Sequence, residues 1–488
     1  MYVEQNLHGE LCVKRRIVDV SSLIAFIVLM ILYIGVALYA VQNGHIANSF
    51  TYIHNMIDDG VIVDSTEKVA IEIFDDLYRT RFVILSITIL AVLWSISTIF
   101  IIRKATSFAI CTGIMGEAVL LIALFVVTIF ASQSQVYRHS SSKPYLFFPI
   151  FIVIVVSKLL ALKEVGFAFV SNLLRESCRA ITSYALGFIV MFFIHTLALS
   201  SVIFGFYIYC QLMSTSLKPL YKEVQTADGV SHDICNFVIV TIPSYIYLFH
   251  MINIVSCIWL NYTFWNFGYV FFSRTFARLY QNPEDKCNSI SAILGVFRST
   301  VRNHMGTIIY ASSPYAPIVQ ISVMWKYAWN ATNEYLRQKP FIGSISWLVT
   351  VWNLSSTGLI FCSFHRTAFK QSAKLTGRIF IRNPVQLLTV YSVIGWLAFF
   401  VITFVTLLSL IVLWIYTSII SETPHTCIAA IVIIFGAIAM TRAVCQLLEI
   451  AILSIYLFMI ENIEQISNME NKKPRNPAID KIITQCHD

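Results

Sequence analysis

The sequence predicts an all-α polytopic membrane protein of about ten transmembrane helices with both termini cytosolic. Three observations carry that prediction. Of the 488 residues, 57% are hydrophobic and only 12% are charged, a balance outside that of soluble domains. About 20 apolar residues span a bilayer as a helix, and on that ruler about ten runs qualify. With both ends inside, roughly 23 of the 34 Lys and Arg fall on the cytosolic side, about 10 fall outside and one lies within a span. The net charge of +8 therefore reflects basic cytosolic loops and implies no nucleic acid. The 11 cysteines show no CxxC pair and no Cys/His spacing suited to a metal, so no cofactor is expected.

Residues 1–17 read as a cytosolic tail, 18–460 as the transmembrane domain and 461–488 as a second polar cytosolic tail. The first span, Val18 to Val41, follows Lys14, Arg15 and Arg16 and has no convincing cleavage site, so it is expected to be retained. An acidic stretch from Asn43 to Arg81, with Asp58, Asp59, Asp64, Glu67, Glu72, Asp75 and Asp76, is placed outside. Spans two and three, Phe82 to Ile102 and Phe108 to Ser132, form a hairpin closed by Arg103 and Lys104. The fourth, Tyr145 to Ala161, leads into a basic amphipathic stretch, and the fifth is Leu186 to Cys210.

A polar exterior loop then reaches Cys235, and a Cys210–Cys235 disulfide across it is expected. The sixth span, Phe237 to Phe272, exceeds the hydrocarbon thickness and is read as strongly tilted or broken, with a kink at Pro243. The seventh, Gly306 to Trp325, contains Pro314 and Pro317, which imply a break. The eighth, Phe341 to Cys362, precedes a helix on which Arg366, Lys370, Lys374, Arg378 and Arg382 share one face, as on anionic membrane lipids. Spans nine and ten are Leu387 to Tyr416 and Ile428 to Ile460. An N-glycosylation sequon at Asn330 falls outside in this topology, whereas those at Asn261 and Asn353 fall within the membrane.

Ionisable groups at membrane depth cost ~2.5–3.5 kcal/mol on insertion scales, so each needs a reason. Glu117, alone in the third span, reads either as a cation- or proton-binding carboxylate or as a hydrogen-bond partner of a neighbouring helix. Arg442, Gln446 and Glu449 share one face of the tenth span. Arg442 and Glu449 are about 10 Å apart along the axis, which favours partners on other helices and a structural polar seam. In the sixth span His250, Asn253, Cys257 and Asn261 form one face, and Trp259, Tyr262, Asn266 and Tyr269 the adjacent one. The sequence contains no P-loop, GxSxG or HExxH, so neither ATP-driven transport nor familiar hydrolase chemistry is indicated.

Several motifs occur in a shared order. FRSTVRNHMGTIIYAS, from Phe297 to Ser312, sets Arg298, Arg302, His304, Gly306 and Thr307 at the entry of a helix. VKRRIVDVSSLIAF places Asp19 after basic residues, Glu176 and Ser177 end the amphipathic stretch, and AFKQSAKLTGRIFIRN precedes the ninth span. FMIENIEQ closes the tenth. Together these resemble the choline transporter-like family of multi-span solute carriers. Lys370 and Gln371 stand where the family has a Cys-Thr pair, and the exterior stretch after the first span is much shorter, as in a divergent member.

The resemblance implies a transporter, not an enzyme, moving choline or a related small organic cation such as ethanolamine without ATP, most simply in the plasma membrane. A quaternary ammonium donates no hydrogen bond, so proteins hold it against aromatic faces, each contact contributing roughly 0.5–2 kcal/mol. Trp259, Tyr262 and Trp265, with Glu117 as carboxylate, are the substrate-binding residues expected on that reading. Two alternatives stay open: a membrane-embedded lipid acyltransferase using His195 or His250, and a structural or signalling membrane protein.

Overall fold

The computed structural model describes residues 19–44, 65–133, 148–215, 217–225, 231–240, 243–281, 290–313, 356–365, 367–382, 384–420 and 426–468. In chain order the first helices are α1 (Val20–Asn43), α2 (Ser65–Lys104), α3 (Thr106–Gln133), α4 (Phe148–Val165), α5 (Phe167–Ser183) and α6 (Leu186–Ser214). A hairpin follows, β1 (Leu217–Gln225) and β2 (Ser231–Val240), and then α7 (Ser244–Gln281) and α8 (Ile290–Ser312). The last helices are α9 (356–365), α10 (Phe369–Arg382), α11 (Pro384–Ile420) and α12 (Thr426–Asn468).

Among the described residues, six helices are long and apolar enough to cross a membrane: Val20–Asn43, Thr80–Lys104, Leu186–Ser214, Ser244–Tyr280, Val385–Ile419 and Ile428–Glu461. They correspond to the expected first, second, fifth, sixth, ninth and tenth spans. Helices α3 and α4 overlap the expected third and fourth, while Pro314, Pro317, Asn330 and Asn353 lie outside the described residues.

Three local expectations are corrected. The exterior connection is an antiparallel hairpin, with Leu217 opposite Val240 and Gln225 opposite Ser231, so Phe237 to Val240 belong to a strand and not to the sixth span. A short apolar run cannot be assigned to helix or strand by periodicity alone, and Val238, Ile239 and Val240 are β-branched. Pro243 then precedes the helix instead of kinking it, and α7 continues unbroken for 38 residues. Cys210 carries a free thiol, so the expected bridge to Cys235 is not formed.

Helix α12 is the axis of the bundle and packs against α2, α5, α6, α7 and α11. From Ala443 to Leu457 every residue is buried, as expected of a helix that is apolar on all sides and surrounded by others. Its buried polar residues there, Gln446, Glu449 and Ser454, therefore sit at the centre of the molecule. Helix α1 has the opposite character, with Ile24, Ile27, Ile31, Ile34 and Leu38 facing outward as a lipid-facing stripe does.

Helices α6 and α7 approach closely. A Cβ at Gly205 would stand 2.7 Å from Cys257 Sγ, so only glycine permits the separation seen. Along this seam the side-chain amide of Asn253 donates to the Gly205 carbonyl (3.0 Å) and that of Asn261 to the Ala198 carbonyl (3.2 Å). Between them the Cys257 thiol points at the Ser201 carbonyl (3.5 Å). The polar face read from the sequence is thus spent on joining two helices. Gly166, at φ 90°, turns the chain from α4 into α5, which buries Phe169, Leu173, Leu174 and Ile181 and exposes Arg175 and Arg179.

Candidate functional site

The four residues expected to bind substrate occupy different surroundings. Trp259 donates its indole N–H to the Ile309 carbonyl (3.0 Å) and meets Phe26 edge-on, ring centroids 5.5 Å apart, which ties α7 to α8 and α1. Tyr262 is 57% exposed on the outer surface of the bundle. Three-residue steps on a 3.6-residue helix drift by about 60° each, so Trp265, six positions after Trp259, points toward α6 and α12. Glu117 is held between other elements: its Oε1 lies 2.7 Å from Lys158 Nζ on α4, and its Oε2 accepts the Trp396 indole N–H from α11. These contacts are those of a partner of neighbouring helices, and the cation that Glu117 holds is a side chain of the protein itself.

Trp265 enters a polar cluster made by α6, α7 and α12. The His195 ring lies against it at 5.1 Å between centroids, and the Arg442 guanidinium stands over it with Cζ 5.3 Å from the centroid. The Gln446 amide donates to the Trp265 carbonyl (3.1 Å), and the Tyr269 hydroxyl donates to Glu449 Oε1 (2.7 Å). Arg442 Nη2 lies 3.6 Å from Glu449 Oε2. These two were expected to find partners on other helices, which they do, but they also pair with each other. The Cα–Cβ bond of Glu449 leans toward the helix N-terminus, and the long arginine stem covers the remaining distance.

Among the described residues, two acceptors in this cluster have no protein partner. His195 Nδ1 lies 3.1 Å from the Met191 carbonyl, which can only accept, so Nδ1 carries the proton and the Nε2 of the neutral ring is an acceptor. Nε2 is buried and unpartnered, and so is Gln446 Oε1, whose amide orientation is fixed by the bond from Nε2 to Trp265. Buried acceptors left unpaired are costly in a packed interior, so both call for a donor. An aromatic face, a carboxylate and two unpaired acceptors together suit a small organic cation that carries a hydroxyl. His195 entered the sequence reading only as a potential enzyme residue. The signal that pointed to this cluster was the Arg442, Gln446 and Glu449 face.

A second cluster lies at the end of the bundle where α1 begins, and there the sequence motifs meet. The Asp19 carboxylate lies near the backbone N–H of Phe369, the first residue of α10, and the Thr307 hydroxyl on α8, and among the described residues its buried Oδ2 has no hydrogen-bond partner. A carboxylate at a helix N-terminus is favoured by the unpaired N–H groups there. Burial nevertheless raises the Asp19 pKa above the usual carboxylate value, with the neighbouring Phe369 N–H and Thr307 hydroxyl opposing it. Nearby, Cys362 Sγ lies 2.8 Å from the Thr367 carbonyl and 3.8 Å from His304 Nδ1, and the Thr367 and Ser372 hydroxyls are 2.5 Å apart. His304, in the same motif, is buried, while Arg298 and Arg302 are exposed. Lys370 and Lys374 are exposed on α10 while Phe369, Ser372, Ala373 and Thr376 are buried, so these two lysines of the basic face point outward.

A family model described as "Plasma-membrane choline transporter" matches residues 145–464, which include α4 to α11 and α12 as far as Glu464, and so hold the whole central cluster. No curated protein matches the chain.

Proposed function

The chain belongs to the plasma-membrane choline transporter family, and from that premise we propose that it carries choline, or a related small organic cation such as ethanolamine, across a membrane without ATP. The observation that supports this reading is the central cluster: Trp265 offers an aromatic face, Glu449 a carboxylate, and His195 Nε2 and Gln446 Oε1 two unpaired acceptors. The chemistry follows from the substrate. A permanent cation leaves its hydration shell only if an aromatic face and a carboxylate replace it, and its hydroxyl needs an acceptor. Of the residues expected from the sequence, Trp265 is the one placed in this cluster, with Trp259 and Tyr262 on the preceding turns of α7 and the Glu117–Lys158 pair elsewhere in the bundle.

We place about ten spans in the full chain, both termini in the cytosol, Asn330 in an exterior glycosylated loop, and the basic face of α10 on anionic lipid of the plasma membrane. Alternating access then opens the cluster to each side in turn. The acyltransferase reading requires a histidine paired with a second catalytic group. Among the described residues, the hydrogen bond found for the His195 ring runs to a backbone carbonyl.

Thermal shift of the detergent-purified protein, with choline, ethanolamine and an acyl-CoA side by side, separates these readings. Stabilisation that rises saturably with choline or ethanolamine and is absent with acyl-CoA is expected. Stabilisation by acyl-CoA alone would replace the transporter reading with the enzyme.

A further inference from the structure

Arg442 stands where an organic cation would be held. Its guanidinium covers the Trp265 ring and faces Glu449 Oε2 at 3.6 Å, so both elements that bind an alkylammonium are engaged by the protein's own side chain. The two charged partners differ in how firmly they are fixed. The Glu449 side chain is 9% exposed and takes the Tyr269 hydrogen bond, whereas the Arg442 side chain is 37% exposed at the end of a long stem. Arg442 also lies well inside the span Ile428–Glu461, where an exposed guanidinium is tolerated facing water or polar groups but not hydrocarbon. It can therefore leave Trp265 for a solvated position, while Glu449 stays behind.

We propose that Arg442 is a tethered competitor for the transported cation: it fills the subsite between Trp265 and Glu449 in the empty protein and is displaced when an organic cation enters. The inference rests on the reading of this chain as a carrier of choline-like cations. Two cations cannot share one carboxylate and one ring at contact distance, so entry of substrate requires Arg442 to withdraw. In the empty carrier the same residue neutralises Glu449, which would otherwise be a buried, uncompensated charge during the return step. The cost is lowered affinity, because the substrate binds only the fraction of molecules in which the subsite is open. His195 Nε2 and Gln446 Oε1, which no protein donor uses, stay available for the substrate hydroxyl in either state.

Equilibrium binding of radiolabelled choline to the purified full chain tests this with Arg442→Gln, Arg442→Met and Arg442→Lys. The neutral variants are expected to bind choline more tightly, by roughly 5- to 150-fold as ordinary coupling energies allow, and the lysine variant to stay near the wild type. In the neutral variants methylguanidinium ion is expected to compete with choline. Folded Gln and Met variants with unchanged or weaker affinity overturn the inference while leaving transport intact. Loss of folded protein in both assigns Arg442 a structural role and overturns it equally. Absence of saturable choline binding in the wild type and in both neutral variants removes the functional reading, and the inference with it.

Discussion

At the scale of single residues, position along α7 decides role. Trp265 and Tyr262 are three residues apart and chemically similar, yet Trp265 contacts His195 and Arg442 while Tyr262 is 57% exposed. A cation–π contact of roughly 0.5–2 kcal/mol corresponds to about 2- to 30-fold in affinity. Trp265→Leu is accordingly expected to raise the half-saturating choline concentration in cell uptake by that range, and by more than Tyr262→Leu does, at equal surface expression. Equal effects of the two substitutions would place the site elsewhere on the helix. The sequence showed that α7 is rich in aromatic and polar side chains, but not which of them turn inward. That depends on where α1, α6, α8 and α12 pack around it, and no pattern within α7 encodes those neighbours. The same holds for Glu117, whose partners Lys158 and Trp396 lie 41 and 279 residues away in the chain.

At the scale of elements, the long helices were legible because an unbroken apolar run in a chain of this composition has one stable form in lipid. The hairpin and the start of α7 were not, since a four-residue apolar stretch before Pro243 fits strand and helix equally. The motifs were legible as a family resemblance, and their meeting point has a physical logic: Asp19, just before α1, lies beside the N-terminus of α10, where unpaired N–H groups favour a carboxylate. At the same end of the bundle His365 on α9 lies 3.2 Å from Glu461 near the end of α12. The beginning of α1 and the end of α12 therefore share one side of the molecule. Combined with the Lys and Arg asymmetry, this supports our proposal that both termini are cytosolic. Epitope tags at either end are expected to bind antibody only after permeabilisation of cells. A tag accessible at one end of intact cells and not at the other would contradict the topology.

At the scale of the whole molecule, a helix buried on all sides supplies the floor of the cluster and two outward-packed helices supply its walls. The charged pair of α12 persists at the centre because Tyr269, Trp265 and the pairing itself compensate the loss of hydration. Among the described residues His195 Nε2 and Gln446 Oε1 have no donor at that depth, and on the proposed reading the hydroxyl of a transported cation supplies one. The composition announced a polytopic protein, and the motifs its family. The location of the cluster required three helices that are far apart in sequence to be assembled. The most direct test is uptake of radiolabelled choline into proteoliposomes containing the purified chain and no ATP. Saturable flux above empty vesicles, competed by excess ethanolamine, is the predicted result; flux indistinguishable from empty vesicles across the concentration range would contradict the account.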